Sequence, residues 1–159
     1  FLYGLHELSA DEEAVYHSIG REFLSLIETT DMQKVYKMPI LYSFYNHGEI
    51  RLAVTEDEVL ESWKEFFSIG TNWKDLMTNV SYAEYQRITD KQHLSKAKSM
   101  PIKFLKASGK GFFIEKEGYA LAIREELAEI MRSEAFKRQM KDILDYRTME
   151  YYRRRYLND

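Results

Sequence analysis

The chain contains no cysteine. That excludes disulfides, thiolate metal ligands and cysteine nucleophiles together, and it fits a reducing compartment, so a cytoplasmic location is the expectation. Two prolines and seven glycines in 159 residues leave little punctuation, so mostly regular structure with short connections is expected. No apolar run approaches the roughly 20 residues of a membrane-spanning helix, and no signal peptide is visible. The histidines, His6, His17, His47 and His93, include no pair at i, i+3 or i+4 and no His-Glu-x-x-His spacing. No metal site is therefore expected. Gly109-Lys110-Gly111 lacks the rest of a phosphate-binding loop, and no Asp…Glu-x-Lys nuclease signature is present, so neither a cofactor nor a reaction is indicated.

What is present is apolar and aromatic. Hydrophobic residues make up 45% and aromatics 14%, with twelve tyrosines. This supports a packed core in one domain, or in two small subdomains sharing it. The net charge of −3 hides an asymmetry. Residues 1–94 hold 8 Lys/Arg against 16 Asp/Glu, and residues 95–159 hold 15 against 10. An acidic helical subdomain (1–94) followed by a basic one (95–159) is the expected organisation, the two packed as one unit. The basic half offers a face to an anionic partner, or docks on the acidic half. The chain begins with Phe1 rather than Met, which points to a piece of a larger protein.

Helical periodicity is the dominant pattern. Ser9 and Glu12 make a capping-box pair before an amphipathic helix over 10–28. A short helix is expected over 32–36 and another from Pro39, stopped by Gly48, with His47 as a C-cap residue. Residues 50–54 alternate like a strand. Thr55 and Glu58 form a second capping box ahead of Val59, Leu60, Trp63, Phe66 and Phe67, and Gly70 ends that helix. Short helices follow at 72–77 and after Ser81. Residues 91–99 form a polar helix or loop. A helix over 124–131 and a last one capped by Ser133 complete the chain. Met38-Pro39-Ile40 recurs as Met100-Pro101-Ile102, each opening a helix, a glycine and a strand-like stretch. That echo fits two related subdomains.

Residues 101–127 are the most informative. They read as a short helix, a Gly-x-Gly break and a hairpin of Phe112–Ile114 with Tyr119, Leu121 and Ile123, turned at Glu117-Gly118. A helix followed by a basic hairpin is winged-helix-like. Lys103, Lys106, Lys110 and Lys116 are placed for phosphate contacts, although Glu115 and Glu117 flank the tip. The run Tyr151-Tyr152-Arg153-Arg154-Arg155-Tyr156 would extend that surface, since Arg binds phosphate bidentately and Tyr stacks on bases. Its bland reading is a final helix that buries Tyr152 and Tyr156 while its arginines pair with the acidic half. Glu56, Asp57, Glu58, Glu61 and Glu65 cluster at a helix start, where the dipole favours them. Arg87 and His93 have the loose spacing of HEPN-type ribonucleases, but Ile88 departs from that pattern.

The stretches MPILYSFYNHGEIRLAVTEDEVLESWKEFF, NWKDL, MPIKFLKASGKGFF and ILDYRTMEYYRRRY together resemble a C-terminal accessory region of large bacterial DEAD/DEAH-box (superfamily 2) helicases of restriction or mobile-element type. The resemblance spans about residues 35–157 and carries no catalytic position. It implies that ATP hydrolysis lies elsewhere in the parent protein. The expectation is a mainly α, winged-helix-like domain with a small β-hairpin, serving as a non-catalytic nucleic-acid-binding or regulatory accessory domain. DNA or another nucleic acid and the remainder of the parent protein are the expected partners, with no membrane partner. The alternatives are a protein–protein interaction domain and a HEPN-like ribonuclease.

Overall fold

A computed structural model of the protein describes residues 10–32, 34–77, 80–109 and 111–157. The fold is mainly α-helical with one small antiparallel sheet, as the periodicity predicts. Its elements are α1 (Ala10–Tyr16), α2 (Ile19–Thr29), α3 (Lys37–Tyr45), β1 (Ala53–Val54), α4 (Glu56–Ser68), α5 (Trp73–Leu76), α6 (Tyr82–Gln86), α7 (Asp90–Ala97), α8 (Lys103–Ser108), β2 (Phe113–Ile114), β3 (Leu121–Ile123) and α9 (Glu134–Tyr152). The sheet order is β1-β3-β2. Thus Ala53 pairs with Ala122, while Phe113 pairs with Ile123. The sheet joins the acidic half to the basic half, and residues of both halves form a single core cluster.

Capping chemistry sets most boundaries. Thr55 Oγ1 accepts from Glu58 N (3.2 Å) and Glu58 Oε1 accepts from Thr55 N (2.9 Å), completing the expected capping box of α4. Ser81 and Ser133 cap α6 and α9 as expected. Thr89 and Gln92 form a further box at α7. The cap expected from Ser9 lies outside the described residues.

Three expectations are corrected. The single helix over 10–28 is two helices, because the Ser18 hydroxyl accepts from Gly20 N (3.0 Å) and starts α2 afresh. Gly20 packs closely there, where a Cβ would sit 3.0 Å from Ile130 Cγ2. Residues 34–36 form a turn into α3 rather than a helix of their own. Residues 124–131 form two 3₁₀ turns, Glu125–Leu127 and Ile130–Arg132, rather than one α-helix. Leu127 and Met131 fill the core from those turns, so packing and not helix length holds them.

The C-terminus of α2 is closed from a distance. Arg147 Nη1 donates to Ile27 O (3.1 Å) and Thr30 O (2.6 Å). Lys37 Nζ donates to Thr30 Oγ1 (2.9 Å) and Asp31 O (2.7 Å). Cations suit the negative end of the helix dipole and satisfy carbonyls that have no partner within the helix. At the end of α3, Asn46, His47 and Gly48 all take positive φ (48°, 54° and 96°). Asn46, not His47, is the C-cap residue, as its short amide tolerates the left-handed region.

Pro101 decides the shape of the third quarter. It lies inside a π-helical turn, Lys98–Ile102, that links α7 to α8 in one continuous helix. Proline has no N–H and its ring clashes with the carbonyl four residues back, so the turn widens rather than breaking. The first Met-Pro-Ile copy differs, since Pro39 sits in the first turn of α3, where a missing N–H costs nothing.

Aromatic rings bind the layers. Phe23 on α2 meets Phe112 (5.6 Å), Phe113 (5.9 Å) and Phe136 (6.3 Å). Trp63 meets Tyr36 (5.7 Å) and Phe67 (5.0 Å). Phe23→Ala should cost about 3–5 kcal/mol, because a fully buried ring leaves a cavity shared by three elements. Thr55→Ala should cost about 1 kcal/mol through loss of the cap. Urea denaturation of the two variants beside the parent chain measures both.

Candidate interaction surface

The cations singled out in the sequence divide by what they touch. Lys103 is exposed on α8 and has no ion-pair partner among the described residues. Lys106 Nζ lies 2.8 Å from Glu115 Oε1, tying α8 to the hairpin. That hydrogen bond holds the Glu115 carboxyl below its ordinary pKa. Lys116 at the tip sits 5.2 Å above the Tyr119 ring. Lys110 lies outside the described residues. Arg153 grips Glu150 through two contacts of 2.6 and 3.1 Å, and Arg154 Nε adds a third at 2.9 Å. Both arginines lower the Glu150 pKa. Arg155 Nε stands 3.4 Å from Asp75 Oδ1.

Tyr152 is half-buried and donates to Asn72 O at 2.9 Å. Part of the bland reading therefore applies to the terminal run, while the Tyr156 side chain lies outside the description. The run's arginines divide, with two on their own helix and one on the acidic half.

Asp75 is the group that sequence reading missed. Its side chain has no exposed surface. Oδ2 accepts from Val35 N (3.0 Å) and Oδ1 from the Tyr151 hydroxyl (2.7 Å), with Lys34 Nζ 3.9 Å away. Tyr36 donates its hydroxyl to Asp75 O (3.2 Å). Burial first, and the Asp75 charge second, push the Tyr36 phenol up to about 12. Lys96 Nζ lies 5.2 Å from the Tyr36 ring centre and donates to Leu76 O (3.4 Å). Lys34 and Arg155 thus approach Asp75, while Lys96 lies over the Tyr36 ring. They come from sequence positions too far apart for any local pattern to reveal. Only NWKDL, whose aspartate is Asp75, had marked the spot.

A groove of 280 Å³ with Tyr36 in its wall opens between the turn before α3 and the π-turn with α8. Met32, Tyr36, Met100, Pro101 and Phe104 line it together with Asp31, Lys34, Lys37 and Ser108. Met100 is 37% exposed and Phe104 49%, and Ala107 and Ser108 beyond them are also exposed. The outward side of α8 thus sets Phe104 and Ala107 beside Lys103, Lys106 and Ser108.

His93 is 5% exposed, and its Nδ1 accepts from Trp63 Nε1 at 3.1 Å. Arg87, its expected ribonuclease companion, lies exposed at the end of α6. The imidazole acts here as a core acceptor. Among the described residues no group of three His, Asp or Glu side chains is placed to hold a metal ion, and no helix is long and apolar enough to cross a membrane. No family model, curated protein or solved structure matches the chain.

Asp75→Ala should lower stability by about 2–5 kcal/mol, because it strands the buried Val35 N–H and Tyr151 hydroxyl. Urea melts quantify the loss, and Asp75→Asn, which keeps one acceptor, should lose less. His93 has its pKa lowered, chiefly by burial and secondly by Lys64, with Asp90 opposing. A depressed histidine stays neutral in the fold while the unfolded chain takes up a proton. Its contribution is therefore full above the unfolded value of about 6.5 and declines as pH falls below it, until the folded pKa is reached. Melting temperatures should fall over that window, and His93→Gln, which retains an acceptor for Trp63, should flatten the fall.

Proposed function

We propose that the chain is a non-catalytic regulatory accessory module of a larger DNA-processing enzyme, and that its working surface binds protein. Three features support a winged-helix-like design. The order runs helix (α3), strand (β1), helix (α4), the short helices α5 and α6, the long α7–α8 helix and then a hairpin. β3 lies between β1 and β2. The last helix before the hairpin presents its side to solvent. The helicase-like stretches supply the context of a larger enzyme.

One observation carries the choice of partner. The outward side of α8 and of the π-turn before it shows Met100, Phe104 and Ala107 beside Lys103 and Ser108, with Lys106 held to Glu115. A helix that reads duplex DNA offers polar and cationic side chains to base edges and phosphates. Exposed Met and Phe on one helix side is the composition of a protein interface. The neighbouring charges agree with this. Glu115 answers Lys106, and Glu117 follows Lys116 at the tip.

Nucleic acid is the second reading, carried by Lys103 and Lys116. Surface ion pairs such as Lys106–Glu115 are weak enough to exchange for phosphate.

Two measurements separate them. Anisotropy with a labelled DNA duplex at about 50 and about 200 mM salt should show only weak association, with no loss in Lys103→Glu combined with Lys116→Glu. Mixing the module with the remainder of its parent enzyme, supplied as a separate chain, should give a complex that Phe104→Asp abolishes without lowering the melting temperature. Tight, strongly salt-dependent duplex binding that the double lysine variant loses would reverse the assignment. So would docking indifferent to Phe104→Asp.

A further inference from the structure

Lys37 is the only lysine buried among the described residues, at 8% exposure, and it also lines the groove that has Tyr36 in its wall. Its Nζ donates to Thr30 Oγ1 (2.9 Å) and to the backbone oxygen of Asp31 (2.7 Å). Both acceptors are uncharged. A charged ammonium has three N–H donors and would leave the third without a protein acceptor. The neutral amine has two, and both are then used, which leaves the lone pair as the unbonded part of the group. Burial lowers the Lys37 pKa, the Asp31 charge opposes, and the Arg147 guanidinium, itself bonded to Thr30 O, adds to the fall. A desolvated lysine of this kind is a nucleophile rather than a point charge.

The groove supplies the other half of a site. Met32, Tyr36, Met100, Pro101 and Phe104 give it apolar walls, and the thioethers can repack around an inserted group. Asp31, Lys34 and Ser108 complete the lining with groups able to pass protons. Its volume of 280 Å³ lies at the bottom of the range for ligand pockets, which starts near 300 Å³. The space suits a small apolar molecule whose reactive end meets the amine.

We propose that Lys37 captures small apolar aldehydes covalently, as an imine formed inside the groove. The neutral Nζ adds its lone pair to the carbonyl carbon. The carbonyl oxygen then departs as water, carrying the two Nζ protons, and a C=N bond takes the place of C=O. No electrons are gained or lost, no leaving group but water is needed, and water reverses the step. The Thr30 hydroxyl, which accepts from the amine, can turn to donate to the imine nitrogen. The capture site is independent of whether α8 meets protein or nucleic acid.

Reductive trapping on the whole chain tests this. Cinnamaldehyde with sodium cyanoborohydride at about pH 7 fixes any imine as a secondary amine, and mass spectrometry of the peptides locates it. Early in the reaction the Lys37 adduct should exceed that on any other lysine at least about tenfold, since a desolvated amine in a pocket outreacts solvated ammonium groups. Glyoxylate, small and charged, should show much less preference for Lys37. Phe104→Ser removes one apolar wall and should lower the cinnamaldehyde preference severalfold, leaving the glyoxylate pattern unchanged. Lys37→Arg, which keeps donors for Thr30 and Asp31, should lose the dominant adduct, and thermal melts report whether it folds. The map of the parent chain decides the case even if that variant does not fold.

Adducts spread evenly over the exposed lysines overturn the proposal. So does a dominant adduct on Lys34, or a Lys37 preference that glyoxylate shares and Phe104→Ser leaves unchanged.

Discussion

A carboxylate with no exposed surface, Asp75, organises the molecule. Burying a charge is unfavourable unless its oxygens are met by donors or cations. Asp75 is met by the Val35 backbone before α3, by the Tyr151 hydroxyl near the end of α9, and by Lys34 and Arg155. α5, four residues long, is too short to stand alone. It persists because the turn before α3 and the end of α9 close on it, with Tyr152 also donating to Asn72 O. The same closure holds Tyr36 in place, and so positions both the wall of the groove and the ring beneath Lys96.

Charge is redistributed by this arrangement. Part of the acidic–basic division is consumed internally. Glu56 pairs with Lys98 across the halves (2.6 Å), and the Tyr42 hydroxyl bonds Asp145 (2.5 Å). Burial and that bond raise the Tyr42 pKa. The arginines at the chain's end turn to Glu150 and Asp75. The surface left to meet a partner is accordingly less cationic than the composition of residues 95–159. Along α8 and the turn before it, Met100, Phe104 and Ala107 stand beside Lys103, while Lys106 is held by Glu115. Pro101 contributes to this by widening the helix, so that α7 and α8 remain one rod with Met100 and Phe104 on its outer side.

Elements governed by neighbours in sequence were legible. Thr55 with Glu58, Ser81, Ser133 and the hairpin turn at Gly118 (φ 86°) behave as their local chemistry dictates. The break at Ser18 was hidden because the apolar spacing of Val15, Ile19 and Phe23 continues through it. Residues 125–132 were misjudged because a helical apolar spacing does not distinguish an α-helix from successive 3₁₀ turns held by packing. The strands around Phe113 and Leu121 and the strand-like stretch before Thr55 were placed correctly, but the pairing of β1 with β3 and the sheet order needed the tertiary fold. Of the candidate site, Lys103 and the α8–hairpin unit were legible. Lys34, Tyr36, Asp75 and Lys96 were not.

The sequence by itself determined the helical class, the caps at Thr55, Ser81 and Ser133, and the hairpin, since each depends on residues within a turn or two of one another. The tertiary structure alone decided which charges remain available and where an apolar groove opens. Tyr151 and Asp75 are separated by 76 positions, and nothing in the local pattern of either encodes the other. Whether a lysine faces solvent, a ring or a carboxylate depends on such distant closures, because an ion pair or a desolvated charge is a property of three-dimensional distance rather than of spacing along the chain.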